Sequence, residues 1–321
     1  MTYPRKDRSE LMVITDTFLI ALYYLVDEFC KTALKPKRMR GPDGSLCLSE
    51  IVALALLSQW QCFGSERGFY RYAQVHLRSC FPQLPHRSRL NRLFRTHRYA
   101  LTGFFGYLTD ILDGSHAPWQ ATDSLGVAVR NRKRRGDGWM PEYVDIGWSN
   151  NLGWYEGFHL LAAVSRGGVI TGVVFGPASA NDHPLAETLF ALRACPQPGD
   201  FALAGRIAGG VYLGDSGFAG MTSHSHWKRV YGAAMVAPPQ REQHQRGWTP
   251  EARREHAGRR QIVETAFAKL LDVFRLRHER PHKLTGWLTR LAAKVGLYNF
   301  CIWLNRQLGR PSLRFADLTA I

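Results

Sequence analysis

Five short β-prone runs in the middle of the chain, each bounded by turn residues, constrain its fold more than any other feature. They cover residues 119–129, 158–165, 169–175, 211–214 and 231–236. Only Arg166-Gly-Gly168 separates the second run from the third, which predicts an antiparallel hairpin. Helical patterns follow from His183 to Ala194 and around Thr222 to Lys228. This order of strands and helices predicts a mixed α/β sheet flanked by helices.

The segments on both sides of this region have helical patterns. Apolar blocks at residues 19–26, 51–57, 69–75 and 101–112 predict an all-helical N-terminal domain. After residue 258 an apolar stripe recurs at spacings of three and four, which favours core packing. It consists of Leu284, Leu288, Leu291, Val295, Tyr298 and Ile302. We therefore expect two domains, residues 1–115 and residues 116–321.

The chain of 321 residues is strongly basic, since 42 Lys and Arg against 26 Asp and Glu give a formal net charge of +16. Such a field attracts polyanions, and counterion release makes nucleic acid the expected partner, with a membrane surface or heparin as alternatives. The apolar run at residues 18–26 is shorter than the roughly 20 residues that span a bilayer. Six cysteines without a C-x-x-C pair, together with a polar N-terminus, predict reduced core thiols in a cytoplasmic protein.

Three carboxylates stand out in this basic chain. Asp123 lies in the first β-prone run and Asp215 follows the fourth, so we expect both at or just past a buried strand. Glu264 is expected at the border of the buried face of a helix. The apolar stripe of that helix consists of Val263, Phe267, Leu270 and Phe274. Converging carboxylates are typical Mg²⁺ ligands, and two such ions can clamp the attacking and leaving oxygens of a phosphoryl transfer.

Clustered basic and aromatic residues are candidates for contact with DNA. Arginines recur on a helix of the N-terminal domain at Arg87, Arg89, Arg92, Arg95 and Arg98. A second cluster follows the first strand and comprises Arg130, Arg132, Lys133, Arg134 and Arg135. Each set is either a phosphate-binding surface or a solvated charged face. In the loop that follows, Trp139, Trp148, Trp154 and Tyr155 either stack on an unpaired base or form a small hydrophobic cluster.

Several polar residues have structural explanations. Ser49 and Ser65 are expected to cap two helices, which form either a helix-turn-helix-like pair or two antiparallel packing helices. Asp182 lies in a turn before a predicted helix and is expected to cap that helix rather than bind metal. His159 and Arg260 are each compatible with an ordinary structural role, the arginine as a partner of Glu264 one helical turn away.

The order of these motifs resembles the ribonuclease-H-like catalytic core of insertion-sequence DDE transposases. The resemblance covers residues 116–305 approximately. Its motifs are Ala121-Thr-Asp123-Ser, Gly157-Phe-His159-Leu-Leu, Gly176-Pro-Ala-Ser-Ala-Asn-Asp-His183, Leu213-Gly-Asp215-Ser-Gly-Phe and Arg260-Gln-Ile-Val-Glu264-Thr-Ala-Phe. In addition, Phe81-Pro-Gln-Leu-Pro-His-Arg-Ser-Arg-Leu-Asn91-Arg resembles a helical N-terminal region found in one branch of these proteins.

The resemblance implies a ribonuclease-H-like mixed sheet and a two-metal-ion transposase. Asp123, Asp215 and Glu264 would ligate two Mg²⁺ or Mn²⁺ ions. The reaction would be phosphodiester hydrolysis at the element ends followed by strand transfer into target DNA. Double-stranded DNA is the implied partner, with a homodimer or larger assembly on the DNA and association with the nucleoid. A non-catalytic DNA-binding protein and a structure-specific nuclease are the alternatives.

Residues around the implied site match the family in part. Arg260 matches an arginine that precedes the family glutamate by four positions and is expected to contact phosphate or hold the carboxylate. Relatives often carry a tyrosine, a lysine and a second lysine where this chain has Ala257, Leu271 and Gly157. Lys269 is the candidate for the phosphate contact that is missing at Leu271.

Overall fold

The computed structural model of the chain describes residues 8–34, 46–60, 63–114, 116–130, 140, 142–195, 202–205, 209–240 and 248–318. Contacts between residues divide the chain into two compact units. One comprises Met1–Tyr107 and Thr289–Ile321, and the other comprises Leu108–Leu288. That residues 1–115 form a helical N-terminal domain that binds DNA stays a prediction.

All regular secondary structure described in the first unit is helical. The helices are α1 (Arg8–Thr32), α2 (Leu48–Leu57), α3 (Glu66–His76), α4 (Arg87–Thr96), most of α5 (Arg98–Ile111) and the larger part of α9 (Leu284–Gln307). Phe18 anchors the core, with its ring centroid 4.9 Å from that of Trp60 and 5.3 Å from that of Phe300. Although α1 has 25 residues, none of the helices in the described ranges is long and apolar enough to cross a membrane.

The two predicted helix caps have different outcomes. Ser65 caps α3 as predicted, because its hydroxyl accepts a hydrogen bond from the Gly68 N–H at 3.0 Å. The prediction for Ser49 is wrong, since α2 begins after Cys47, whose N–H donates to the Glu50 carboxylate at 2.7 Å. Ser49 is instead buried in the first turn and donates its hydroxyl to Asp27 Oδ1 at 2.8 Å.

The cysteines are free, but most of those described do not lie in the core. Only Cys301 is buried among them, whereas Cys47, Cys80 and Cys195 are exposed and Cys30 is half-buried. The prediction of core thiols is therefore wrong for four positions. Cys62 lies outside the described residues.

The second unit contains the sheet. Its described strands are β1 (Gln120–Arg130), β2 (Asp145–Ser149), β3 (Gly153–Ser165), β4 (Ile170–Pro177), β5 (Gly210–Leu213) and β6 (Ala233–Val236). Their order is β2-β3-β1-β5-β6, and β4 also pairs with β3. β3 is antiparallel to β1, β2 and β4, whereas β5 runs parallel to β1 and β6. The five predicted strands, the hairpin and the mixed sheet are confirmed.

β2 is a strand where we predicted a loop. Ile146 and Trp148 point their side chains into solvent, while Gly147 between them is buried. A Cβ atom on Gly147 would lie 2.2 Å from the Ala178 carbonyl oxygen, so this close approach requires glycine. The usual alternation of apolar residues inward and polar residues outward is reversed, which removes the sequence signal for a strand.

Three helices cover the sheet. α6 (Asp182–Ala194) and α7 (Met221–Tyr231) bury a common core against it that includes Phe190, Tyr212 and Trp227. α8 (Pro250–Asp272) packs against β1, β3 and β5. Thr249 starts α8 by accepting a hydrogen bond from the Ala252 N–H at 3.2 Å, and Pro250 suits the first helical position. These are the helices that the sequence predicts at 183–194, around 222–228 and after 258.

The Glu187 carboxylate joins α6 to α7. Glu187 accepts hydrogen bonds from Trp227 Nε1 at 2.5 Å and from the Tyr231 hydroxyl at 2.5 Å, and His226 Nε2 lies 3.1 Å from it. Burial raises the pKa of Glu187, but the hydrogen bonds from Tyr231, His226 and Trp227 outweigh burial, so that the pKa lies below its usual value. The folded state therefore favours the charged form of this carboxyl.

We expect Glu187→Gln to lower the melting temperature at neutral pH, because the amide oxygen accepts weaker hydrogen bonds than the carboxylate. The loss should be about 1 kcal/mol, since the side chain is 37% exposed and solvent screens the charge. A carboxyl group whose pKa is lower in the folded state than in the unfolded state stabilises the fold at pH values above its unfolded-state pKa. This contribution is lost as the pH falls through the folded-state pKa. Thermal unfolding between pH 7 and 3.5 should show the two proteins converging at acid pH. A constant difference would contradict the assignment.

Candidate active site

Asp123 on β1 and Asp215, just past the end of β5, lie at the same level of two neighbouring parallel strands. β1 and β5 are paired through Gln120 with Tyr212 and through Ala121 with Leu213. Asp123 follows Ala121 by two residues, and Asp215 follows Leu213 by two residues. Neighbouring strands lie about 4.8 Å apart, so this register brings the two carboxylates close together. The negative charge of Asp215 acts on the pKa of Asp123, as expected for neighbours.

The backbone just past β5 holds the Asp215 carboxylate. Asp215 caps the short 3-10 helix Ser216–Phe218, and its Oδ1 accepts the Gly217 N–H at 2.8 Å. A Cβ atom on Gly217 would lie 2.9 Å from Asp215 Oδ1 and 3.0 Å from Asp182 Oδ2. The carboxylates of Asp215 and Asp182 therefore both lie against Gly217, where a larger residue would crowd them.

A buried ion pair holds the Asp123 carboxylate. Its Oδ2 accepts a hydrogen bond from Arg260 Nη2 at 2.8 Å, and its Oδ1 accepts one from the Ser124 N–H at 2.9 Å. The two side chains of the pair are only 18% and 15% exposed. Burial raises the pKa of Asp123, and the charge of Asp215 adds to this shift, while Arg260 and the Ser124 hydrogen bond oppose it. The net direction is upward, so the folded protein disfavours the charge on Asp123.

Glu264 lies on α8 in the predicted phase. The stripe Val263, Phe267, Leu270 and Phe274 is buried, while the Glu264 side chain beside it is 48% exposed. Its Oε2 accepts a hydrogen bond from Gln261 Nε2 at 2.9 Å, and its Oε1 lies 3.7 Å from Arg260 Nη2. One guanidinium nitrogen thus lies near both Asp123 and Glu264, which brings the third acidic residue to the first.

The donor chemistry of these residues fits a hard divalent cation. All three side chains offer carboxylate oxygens, and the guanidinium between Asp123 and Glu264 shows that a cation is accommodated there. In the described part of the chain, however, no three acidic, histidine or cysteine side chains are arranged to hold one metal ion. A shared ion would therefore require Glu264 to exchange its present contacts with Gln261 and Arg260.

A histidine and an aspartate lie beside these carboxylates. His159 Nδ1 donates to the Ala180 carbonyl oxygen at 2.6 Å, and its Nε2 lies 3.5 Å from Asp182 Oδ1. The capping prediction for Asp182 is wrong by one residue, because Asn181 takes the cap position of α6 and makes no side-chain capping bond. Asp182 is instead the first residue of the helix, with a buried oxygen next to His159 and the other near Gly217.

The predicted DNA-binding residues fall into distinct environments. On α4, Leu90 and Phe94 are buried, and Arg87, Arg89, Arg92 and Arg95 are exposed. None of these four arginines forms an ion pair within the described ranges, and α4 contains no acidic residue. Arg130 ends β1, and positions 131–135 of the same cluster lie outside the described residues. Lys269 is half-buried on α8.

The predicted aromatic set divides in the same way. Trp148 and Trp154 are cross-strand partners in the β2–β3 pair and are 58% and 56% exposed. Tyr155 is buried, and a Cβ atom on Gly126 would lie 2.9 Å from its hydroxyl oxygen, so Tyr155 packs on β1. A stacking role is wrong for Tyr155. Trp139 lies outside the described residues.

Gly157 has a steric reason to differ from the lysine found in relatives. A Cβ atom at this position would lie 2.1 Å from the Val127 carbonyl oxygen on β1. The register of β1 and β3 shifts between Ala128 and Arg130, directly beside Gly157. This irregular pairing brings the two backbones so close that no side chain fits, and the lysine is excluded here.

Sequence reasoning missed a cavity of about 250 Å³, some of whose lining residues are close to Asp215 and Glu264 along the chain. It is lined by Leu213, Val236, Trp248, Ala252, Glu255, His256 and Arg259. His256 Nε2 donates to the Val236 carbonyl oxygen at 3.1 Å, and its ring meets Trp248 edge-on at 5.1 Å between centroids. Three separate segments supply this lining, so no local motif marks it. Its wall combines an aromatic ring with Arg259, which pairs with Glu255 at 2.5 Å.

A family model described as the transposase DDE domain matches residues 108–300. The match covers more than half of the chain, includes Asp123, Asp215 and Glu264, and confirms the resemblance to insertion-sequence DDE transposases. The chain therefore belongs to the DDE transposase family, a family of nucleotidyl-transferase-type enzymes that act on DNA in transposition and recombination and generally use divalent metals. Comparisons with curated proteins and with solved structures found no match.

We expect Arg260→Gln to destabilise the fold at neutral pH by about 2 kcal/mol, because it leaves the buried Asp123 carboxylate without its cation. The pKa of Asp123 would rise further, so the deficit should grow as pH rises through that pKa and shrink at acid pH. Urea unfolding at pH 4 and pH 7.5 measures both. Arg254→Gln removes an exposed pair with Glu251 and is the matched control. The double variant with Asp123→Asn should recover most of the loss. Additive losses would refute the pairing.

Proposed function

We propose that this chain is an active transposase in which Asp123, Asp215 and Glu264 are the catalytic carboxylates. The observation that supports this most directly is the register of β1 and β5, which brings Asp123 beside Asp215. Arg260 then links Asp123 to Glu264 on α8. The three acidic residues are far apart in sequence, and only this sheet and helix bring them together. The reaction is hydrolysis at the element ends followed by transfer of the freed strand into target DNA.

The proposal includes two Mg²⁺ or Mn²⁺ ions held by the same three residues. When bound, such ions activate the attacking water or 3′-hydroxyl and stabilise the leaving oxygen. The protein contributes carboxylates whose positions are preset, since backbone N–H groups hold Asp123 and Asp215. Attack is direct, with no covalent enzyme intermediate. Two negative charges near each other, one of them buried, also favour a cation at this place.

Arg260 has two functions in this proposal. It neutralises the buried Asp123 carboxylate, and, because its guanidinium lies beside two of the three carboxylates, it would also contact a DNA phosphate bound there. Lys269 and the cluster Arg130–Arg135 are proposed as further phosphate contacts. The arginines of α4 would add contacts from the N-terminal helices, because their side chains are exposed and form no ion pair within the described residues.

The fold and the assembly belong to the same proposal. A central strand that carries the first carboxylate, with an antiparallel neighbour on one side and a parallel one on the other, supports the ribonuclease-H-like assignment. Double-stranded DNA at the element ends and the target is the partner. Pairing two ends requires a homodimer or a larger assembly on the DNA, and the protein would act at the nucleoid.

We expect Asp123→Asn, Asp215→Asn and Glu264→Gln each to reduce Mg²⁺-dependent cleavage of element-end DNA by at least about 100-fold, because each removes a charged oxygen donor. Cleavage is measured on a labelled duplex, with binding to the same duplex as a parallel measurement. Glu187→Gln lies away from these residues and should cleave at the wild-type rate. Undiminished cleavage by any one carboxylate variant would remove that residue from the catalytic set.

A strand-transfer assay with precut ends separates the alternatives. A transposase joins precut ends to a target plasmid, whereas a structure-specific nuclease cleaves and does not join. Binding of ends without any Mg²⁺-dependent cleavage would instead indicate a non-catalytic DNA-binding protein.

We expect Arg89→Ala and Arg92→Ala to weaken DNA binding and to reduce the slope of log affinity against log salt by about 0.9 for each lost phosphate contact. The slope is measured by fluorescence anisotropy between about 50 and 300 mM salt, because phosphate contacts weaken strongly over this range. Arg89→Lys and Arg92→Lys retain the charge and should retain the slope. Slopes that do not change in the alanine variants would show that α4 does not contact phosphates.

A further inference from the structure

A buried arginine whose hydrogen bonds within the described residues all go to neutral acceptors lies where β1 meets β5, the two strands that lead to the aspartates. Arg193, near the end of α6, is 2% exposed. Its Nη1 donates to Tyr212 Oη at 2.7 Å and to Gln120 Oε1 at 3.1 Å, and its Nη2 donates to Thr171 Oγ1 at 3.0 Å. Its Nε donates to the Ala204 carbonyl oxygen. All four acceptors are neutral.

The acceptors come from the segments that must be held together. Gln120 and Tyr212 are register partners in the β1–β5 pair, which has only two described residue pairs. Each of these two residues precedes its aspartate, Asp123 or Asp215, by three positions. A single guanidinium nitrogen therefore bridges the two strands at the place where their relative position sets that of the carboxylates.

The surrounding backbone makes room for this side chain. A Cβ atom on Gly172 would lie 2.5 Å from Arg193 Nη2, and one on Gly205 would lie 2.3 Å from the Thr171 carbonyl oxygen. Gly205 also has a φ of +81°, a backbone conformation that residues other than glycine rarely adopt. Thr171 Oγ1 is in hydrogen-bonding contact with Gln120 as well, so the network closes on itself.

A buried cation that, among the described residues, hydrogen-bonds to neutral groups alone is a costly way to fill a core. Apolar residues of similar volume often stabilise a fold as well or better. What an arginine adds is a planar set of donors in fixed directions, which imposes geometry on its acceptors. The cost of burial therefore indicates that precise placement, rather than stability alone, is what Arg193 supplies.

We infer that Arg193 is a positioning residue that sets the register of β1 against β5 and thereby the spacing of Asp123 and Asp215. This inference rests on the proposed role of the two aspartates. Arg193 touches neither the DNA nor the carboxylates and acts through Gln120 and Tyr212. Groups that hydrogen-bond metal ligands directly change metal affinity by about 10–100-fold when they are removed, and Arg193, which acts one step further out, should have an effect near the lower end of that range.

The test compares Arg193→Met, Arg193→Lys and Glu187→Gln with wild type in the full chain. Glu187 is a matched control because it anchors the same helix, α6, and its hydrogen bonds within the described residues go to α7 rather than to β1 or β5. Calorimetry with MgCl₂ is carried out where circular dichroism shows every variant folded. We expect Arg193→Met to weaken Mg²⁺ binding by about 10-fold or more, Arg193→Lys to recover part of it, and Glu187→Gln to bind as wild type.

Hydrogen exchange gives a second readout that needs no metal. Arg193→Met should speed exchange in peptides that cover 118–123 and 210–215, whereas Glu187→Gln should affect peptides of α7. If Arg193→Met does not fold, Tyr212→Phe, which removes one acceptor, takes its place with the same expected pattern.

The two proposals fail in different ways. Unchanged exchange in β1 and β5, or Mg²⁺ binding equal to that of wild type, would overturn the positioning role. Absence of Mg²⁺ binding by wild type would overturn the proposed metal site, while the exchange comparison would still decide whether Arg193 sets the strand register.

Discussion

The short parallel pairing of β1 with β5 is the constraint on which the candidate site depends. Within the described residues the pairing consists of Gln120 with Tyr212 and Ala121 with Leu213 alone. A shift of one residue would turn Asp215 to the other face of the sheet, because side chains alternate along a strand. So few backbone hydrogen bonds leave the register to side chains. Arg193 donates hydrogen bonds to side chains of both strands, and Arg260 on α8 donates one to Asp123.

Much of this architecture could be predicted because its patterns are local. Five strands, the turn at Arg166-Gly-Gly168 and the helices of the second unit follow from short apolar runs and turn residues. The phase of Glu264 follows from the stripe that begins at Val263. Asp123 and Asp215 could be placed at strand positions, but their proximity depends on a parallel pairing between distant segments, which no local pattern encodes.

The failures have equally specific causes. β2 was missed because Ile146 and Trp148 face solvent and Gly147 faces inward, the reverse of the expected alternation. Ser49 has the composition of a cap but lies two residues beyond the true cap, where its hydroxyl meets Asp27. Arg193 has the usual sequence appearance of a basic residue in the last turn of a helix. Its burial arises from acceptors on β1, β4 and β5, which only the folded chain brings together.

The connection between β1 and β5 also has a consequence for how the chain folds. The hairpins of β2, β3 and β4 join neighbouring segments and need only short loops to close. The β1–β5 pairing instead waits for a crossover of many residues that includes α6, and parallel pairings of this kind form slowly. During synthesis, Asp123 is therefore exposed long before Asp215 and Glu264 have been made. A nascent or truncated chain can therefore contain the hairpins of β2, β3 and β4 while it still lacks two of the three candidate carboxylates.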